Sequence, residues 1–338
     1  MLKLGETNIG KYLKSLNLFL ETDWVKIKVS EVTKHTNVNF VFSVVINSKK
    51  YKKIFLKQAF NYVKIAPDFP APIERQEFEK KSIDYLQKFW MGRIPEVIYY
   101  DKENNILIIT DVGEGAKLLA EEIGKGRLHF DIGSDLGLMM AELHAPTYDI
   151  KDYPVRNKKA SQEHIDFIFD FRLRGSKETL PKETDQLFKE SNKVKKSMTY
   201  GDWASKNVFV VENKVRLVDF ENLVRFDPAF DIGYALAHWV LEISEENRSK
   251  IIVMLEDFEK SYNSKWNKSQ QKDVGGILQR ASKYVGAMML HRVAGVKNTN
   301  RLEHYLSRDI PIIEIAKRYL IGNYSSPSNA TQQISLAK

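Results

Sequence analysis

The sequence predicts an α+β fold in two lobes: a small antiparallel-sheet lobe with one helix, then a mainly helical lobe. Three observations lead there. The 338 residues exceed one average domain. Up to Val112-Gly113 apolar residues recur mostly with the period of strands, broken by one strong helical stripe. After Gly115 the helical period takes over almost throughout. The expected division is 1–113 and 114–324, with a disordered tail at 325–338 that is polar and rich in Pro, Ser, Asn and Gln.

The elements follow in order. Lys11 to Phe19 reads as a short amphipathic helix with Leu13, Leu16 and Phe19 on one side, and the period changes from Val25. Val38–Ile46 and Lys52–Lys57 read as strands around an Asn47-Ser48 turn. Glu74 to Phe89 is a helix whose stripe is Phe78, Ile83, Leu86 and Phe89. Pro95–Tyr100 and Ile106–Thr110 form a second hairpin. Helices are then expected at Gly133–His144, His164–Arg172, Thr184–Lys195, Asp231–Ile243, Ser249–Tyr262, Gln270–Ala294 and Ile310–Tyr319. Only a hairpin over Val208–Glu221 interrupts them.

Composition removes several classes. Hydrophobic residues at 43%, with 18 Phe, are ample for a large core. No run approaches the ~18 apolar residues of a membrane span. Met1 to Glu6 meets an acid before any apolar stretch, so no secretory signal is expected and cytoplasm is the default. The absence of cysteine excludes disulfides, thiolate metal sites and a cysteine nucleophile. The charge of +8 is spread over many segments among 44 acids, with no recognition motif, so no nucleic-acid partner is expected. A homodimer is the one assembly carried as an expectation.

The most informative stretch is Tyr200-Gly201-Asp202-Trp203-Ala204-Ser205-Lys206-Asn207, followed by Val218-Asp219-Phe220-Glu221. One Asp, an Asn five residues later and a second Asp twelve beyond that form the pattern of a kinase catalytic loop. In that chemistry Asp202 accepts the acceptor hydroxyl's proton, while Asn207, Asp219 and Glu221 hold Mg²⁺ on the phosphates of ATP. For Asp202 and Asn207 alone, a hairpin whose polar residues merely make turns reads equally well. Lys57, at the end of an apolar strand, is the candidate phosphate cation, with Glu79 on the next helix as its brace. Taken alone, the pair reads as a surface lysine and a solvated glutamate. Thr36, Asn37 and Asn39 are candidate phosphate contacts in a turn that lacks the expected glycines. Asp111 and Val112, where the last strand turns into the helical part, are candidates for the adenine edge. Asp231 is expected to cap its helix and hold the catalytic loop's backbone.

These residues resemble the aminoglycoside phosphotransferase and choline kinase superfamily, built on the protein-kinase-like fold, over roughly 25–320. Within it, Thr36-Asn37-Val38-Asn39-Phe40-Val41-Phe42, Leu56-Lys57-Gln58-Ala59, Arg75-Gln76-Glu77-Phe78-Glu79 and Met289-Leu290-His291-Arg292 are similar to segments of 5-methylthioribose kinases. The resemblance implies transfer of a γ-phosphoryl group to a small hydroxylated substrate, most closely a sugar such as 5-methylthioribose. His291 and Arg292 would meet that substrate, with Trp203 beside the catalytic Asp as a further contact. Tyr200 stands where the family usually has His, His291 replaces the first of two arginines, and Phe220 replaces a Pro. The helical stripe Ile277, Ala281, Tyr284, Met288 leads to His291 and Arg292, which then reach either a cleft or solvent. Other acceptors, such as an aminoglycoside or a choline-like alcohol, keep the same fold. A catalytically silent ATP-binding module is the alternative from another class.

Overall fold

The computed structural model describes residues 1–19, 27–46, 48, 50–153, 179–294 and 310–336. The chain divides into two compact units. The first holds Met1–Ala116 and, after a long excursion, Leu217–Glu221; the second holds the rest of the described chain.

The first unit is built on an antiparallel sheet of five strands. They are β1 (Lys28–Glu31), β2 (Phe40–Val45), β3 (Lys53–Gln58), β6 (Val97–Asp101) and β7 (Ile106–Thr110), in the order β1-β2-β3-β7-β6. Strand parity explains its two faces. The even-numbered Phe42, Val44, Ile54, Leu56, Ile106 and Ile108 are buried against Ile9, Tyr12 and Leu13 of helix α1 (Ile9–Ser15). The odd-numbered Lys57 therefore emerges on the opposite face. It lies between Val41 of β2 and Leu107 of β7 in the register. Helix α2 (Arg75–Trp90) buries Phe78, Ile83, Leu86 and Trp90, together with Glu79. A hairpin of β4 (Tyr62–Val63) and β5 (Ala66–Pro70), not expected from the sequence, stands apart from this sheet. Its side chains Ile65 and Phe69 are largely exposed, so no apolar alternation marks it.

The second unit is helical around one central element, the Pro228–Val240 helix. Each of its thirteen residues is buried. A helix buried on every side has no polar face, and this one shows the matching near-continuous apolar sequence. It packs closely on the Gln271–Val293 helix because Gly233 carries no side chain. A Cβ there would lie 2.2 Å from Cβ of Tyr284. The Gly133–Thr147 helix approaches the Arg248–Ser264 helix in the same way at Gly137, where a Cβ would meet the Phe258 carbonyl oxygen at 2.3 Å. Strand β8 is Lys117–Leu118, and β9 is Ser197–Thr199. The latter pairs antiparallel with a Val224–Phe226 strand, and the loop that carries Asp202 follows β9. Strand β10 (Val208–Val211) follows that loop and pairs with β8.

One expectation is corrected. Over residues 325–336 the tail is not disordered: Pro327–Gln333 is a helix, capped by Ser326 accepting from the Asn329 N–H. Glu259 accepts from the Ser328 N–H and hydroxyl, both at 2.7 Å, and the Tyr319 and Thr331 hydroxyls bond to each other. Ile334 and Leu336 are buried beyond it. The polar composition that suggested disorder is consumed by specific partners. A short helix at Leu119–Gly124 was also not foreseen. The expected His164–Arg172 helix lies outside the described residues. Among them, no helix is long and apolar enough to cross a membrane.

Gly233→Ala is expected to lower stability by roughly 1–3 kcal/mol, the usual cost of forcing volume into a filled core. The reading is a lower urea midpoint with an unchanged slope, and an unchanged midpoint would show that the two helices can separate freely.

Candidate functional site

In the first unit, charge gathers around Lys57. Its Nζ donates to Glu79 Oε1 at 2.6 Å and to Asp219 Oδ1 at 2.8 Å. The lysine is only 7% exposed and Glu79 is fully buried. Two further donors fill Glu79: Gln76 Nε2 at 3.0 Å and the Phe220 N–H at 3.2 Å. Asp219 sits at φ +72°, a left-handed conformation that a short polar side chain tolerates better than most. The segment is anchored by the Leu217 N–H on the Arg93 carbonyl at 3.1 Å.

A second chain of bonds positions Glu221. Arg75 donates from Nη1 to the Phe60 and Pro72 carbonyls and from Nε to Asn39 Oδ1 at 2.8 Å. Asn39 Nδ2 in turn donates to Glu221 Oε2 at 3.0 Å. The Asn39 side chain is thus spent inside the protein, between a guanidinium and a carboxylate, rather than presented to a phosphate. Carboxylate oxygens of Glu79, Asp219 and Glu221 lie within 4.8 Å of one another. Three acids so close cannot all ionise cheaply. Burial, and then the Asp219 charge, push the Glu221 carboxyl up to about 7, against the pull of Lys57 and Arg75. Burial also raises Glu79, although Lys57 opposes it. Burial disfavours the charge on Lys57, but Asp219, Glu79 and Glu221 outweigh it and hold the ammonium above the ordinary lysine range.

The remaining candidates of this unit have partners of their own. Thr36 Oγ1 donates to the Val32 carbonyl at 2.6 Å, and the Asn37 carbonyl accepts from the Ile65 N–H at 3.1 Å. Asp111 and Val112 follow β7, beyond Thr110 and therefore several residues along the strand from Leu107, the register partner of Lys57. Asp111 Oδ2 lies 3.8 Å from Lys53 Nζ, and Val112 is buried.

In the second unit, the loop after β9 is held by its backbone. Asp231, fully buried, accepts from the Tyr200 N–H at 2.7 Å and the Gly201 N–H at 3.0 Å. His144 Nε2 lies 3.2 Å from the same carboxylate, and its Nδ1 lies 3.1 Å from the Tyr262 hydroxyl. Gly201 has φ +85°, and a Cβ there would lie 2.4 Å from the Asn222 carbonyl oxygen. No other residue fits that turn. Asp231 thus holds the loop as expected but does not cap its helix. Asp227 does, accepting from the Ala229 N–H, because it precedes the first turn and Asp231 lies inside it.

The loop presents Asp202, which is 6% exposed. Asn207 Nδ2 donates to Asp202 Oδ2 at 2.9 Å and to its backbone carbonyl at 3.1 Å. The amide nitrogen is thereby committed and the carbonyl oxygen of Asn207 is directed elsewhere. Asp202 Oδ1 accepts from the Tyr234 hydroxyl at 3.1 Å. Arg292 Nη2 donates to that same hydroxyl at 2.8 Å, with the guanidinium 5.3 Å from the ring centre. Arg292 is therefore neither loose in solvent nor aimed past the protein. His291, next to it, is buried.

Trp203 is corrected. It is fully buried, edge-on to Tyr200 at 5.3 Å and 83°, with its carbonyl held by His238 Nε2 at 2.8 Å. It supports the loop from within and offers no surface to a ligand. Tyr200, also fully buried, is the ring it packs on. Sequence reasoning missed Tyr234, His144, Arg75 and Gln76. Tyr234 had a signal, for a hydroxyl in an otherwise apolar helix needs a buried partner.

No family model matches the chain. The methylthioribose kinase of Bacillus mycoides (strain KBAB4) is 24% identical over 259 residues, 67% of this chain and 64% of that protein. The chain thus spans less than two thirds of that relative's length. Among solved structures, an amicoumacin kinase in complex with AMP-PNP and Ca²⁺ superposes with a TM-score of 0.54 at 13% identity, over 96% of each chain. An ethanolamine kinase of Plasmodium vivax does so with a TM-score of 0.51 at 14% identity, over 94% of this chain and 90% of that one. The fold is shared with these two kinases. It is protein-kinase-like, and the five-stranded sheet with α2 is the part that carries the buried lysine.

The Glu221 carboxyl makes a prediction about stability. Its folded value, about 7, lies above the ordinary 4.5, so the folded protein binds this proton more tightly than the unfolded chain. That contribution is fully present below the ordinary value and is lost as pH rises through the folded one. In chelator-containing buffer, Glu221→Gln should flatten this fall when urea midpoints are compared at about pH 5 and about pH 8. An equal fall in both proteins would place the proton elsewhere.

Proposed function

We propose that the chain is an ATP- and Mg²⁺-dependent kinase that phosphorylates a hydroxyl of a small metabolite, most closely a sugar such as 5-methylthioribose. The observation that carries this reading is the buried ammonium of Lys57 bonded at once to Glu79 and Asp219. A lysine braced in this way is positioned, charged and ready to exchange a carboxylate contact for phosphate oxygens. The second unit supplies the other requirement, a carboxylate on a rigid loop.

In the reaction, the acceptor oxygen attacks the γ-phosphorus, the bond from that phosphorus to the β,γ-bridging oxygen breaks, and ADP leaves. Asp202 orients the acceptor hydroxyl and takes its proton. Lys57 holds phosphate oxygens, and Glu79 holds Lys57. Thr36 and Asn37 offer backbone N–H groups to phosphate, and the Asp111-Val112 backbone offers an edge to adenine. Asp219 and Glu221 are the hard oxygen donors of the first unit that suit Mg²⁺, and the carbonyl oxygen of Asn207 is a donor of the same kind in the second. The crowding that pushes the Glu221 carboxyl upward supports the fit, since a divalent cation would relieve it. Mg²⁺, when bound, neutralises the phosphate charge that develops during transfer.

The sugar acceptor rests on the likeness to methylthioribose kinases. A silent ATP-binding module fits less well, because Lys57, Asp202, Asn207 and Asp219 each sit in an ordered set of bonds. Turnover of Mg·ATP across 5-methylthioribose, other pentoses, choline-like alcohols and aminoglycosides separates these readings.

Asp202→Asn is expected to reduce turnover by ~10²–10⁴ while ATP binding stays within about twofold, since an amide cannot take the proton. Asp219→Ala should instead abolish the gain in ATP affinity that Mg²⁺ gives, measured by calorimetry with and without the cation. Full turnover in Asp202→Asn, with the acceptor that works for the wild type, would defeat the assignment.

A further inference from the structure

We propose that Tyr234 is a positioning residue for the base Asp202, and that Arg292 reaches the chemistry through this tyrosine rather than by touching the acceptor. The inference rests on the kinase reading above and adds to it which groups set the geometry of the base.

The direction of the bonds follows from their chemistry. A guanidinium can only donate, and an ionised carboxylate can only accept. Arg292 Nη2 lies 2.8 Å from the phenol oxygen and Asp202 Oδ1 lies 3.1 Å from it. The phenol therefore accepts from Arg292, and its own hydrogen points at Oδ1. A hydroxyl that accepts from a cation is polarised and becomes a better donor. The two oxygens of Asp202 are then held from different elements, Oδ2 by Asn207 at the loop's end and Oδ1 by Tyr234 on the central helix. Two such anchors matter because the last torsion of an aspartate is soft and does not fix the carboxylate plane by itself. Each oxygen keeps a second lone pair, so Oδ1 can still accept from an incoming hydroxyl.

The ring itself is fixed. Tyr234 is 3% exposed and edge-on to Phe230 at 5.8 Å. Phenylalanine would keep that packing and lose only the hydroxyl. Arg292 spends one end on the phenol and spreads the rest of its guanidinium over the ring face. That is an arrangement for holding a tyrosine.

The test is a double-mutant cycle in turnover, with Mg·ATP and whichever acceptor the wild type phosphorylates. Tyr234→Phe should lower kcat by about 10- to 100-fold, in line with the steep cost of a misplaced reacting group, and leave KM for ATP within about twofold. Arg292→Ala should lower kcat with little change in KM for the acceptor. In the Tyr234→Phe background, Arg292→Ala should cost less than about twofold more, because its route to Asp202 is already gone. Two results would overturn the inference. One is Tyr234→Phe with wild-type kcat. The other is an Arg292→Ala loss that multiplies undiminished in the double variant and appears in KM for the acceptor, as direct contact requires. Far-ultraviolet circular dichroism and melting of each variant separate a folding defect from loss of kcat. Asp202→Asn distinguishes the layers: if it retains full turnover, or if no acceptor supports turnover, the kinase reading fails and takes this inference with it. If Asp202→Asn is inactive while Tyr234→Phe is unimpaired, only this inference fails.

Discussion

A carboxylate with no solvent to turn to governs the second unit. Asp231 is fully buried and must spend its oxygens on protein donors; the Tyr200 and Gly201 amides and the His144 ring are those donors. Leaving a buried charge without partners costs several kcal/mol, so the loop cannot drift from the helix without exposing that cost. The demand fixes where the turn before Asp202 lies. Gly201 then lets the backbone make that turn, the Tyr200–Trp203 pair fills the space beneath it, and Asp202 emerges in a defined place. The Asp202 carboxylate is thus placed by a second carboxylate that is itself fully buried.

The first unit solves an opposite problem. There, acids outnumber cations within a small volume, and the conflict is settled by sharing. Lys57 divides its ammonium between Glu79 and Asp219, while Arg75 reaches Glu221 chiefly through Asn39.

How much was legible in the sequence depended on whether a residue's role was set by local pattern or by a distant partner. Strand parity was local, and it was enough to send Lys57 to the face opposite Phe42 and Leu56. The spacing of Asp202 and Asn207 was local too, and their hydrogen bond spans only that loop. Asn39 was misjudged because its partners, Arg75 and Glu221, come from two remote segments. Trp203 looked like a substrate contact because it neighbours Asp202, yet burial is decided by what packs above it. Asp227 and Asp231 were both visible at the start of one helix, but which of them caps depends on where the first turn begins. Tyr234 was hidden by its setting, an apolar helix read only for its core.

The Pro327–Gln333 helix carries a practical consequence for anyone handling this protein. Composition alone would invite trimming from Ser325 onward, or fusing a purification tag there as if to a loose end. The cut would strip Glu259 of the Ser328 amide and hydroxyl, and take from Arg248 the three carbonyl oxygens of Thr331, Gln332 and Ile334. Burial already raises the Glu259 carboxyl, so once those donors are gone it would take up a proton or draw water into the helix packing. The stretch that looks most expendable on paper is a cork, and pulling it would let solvent into the helices beneath.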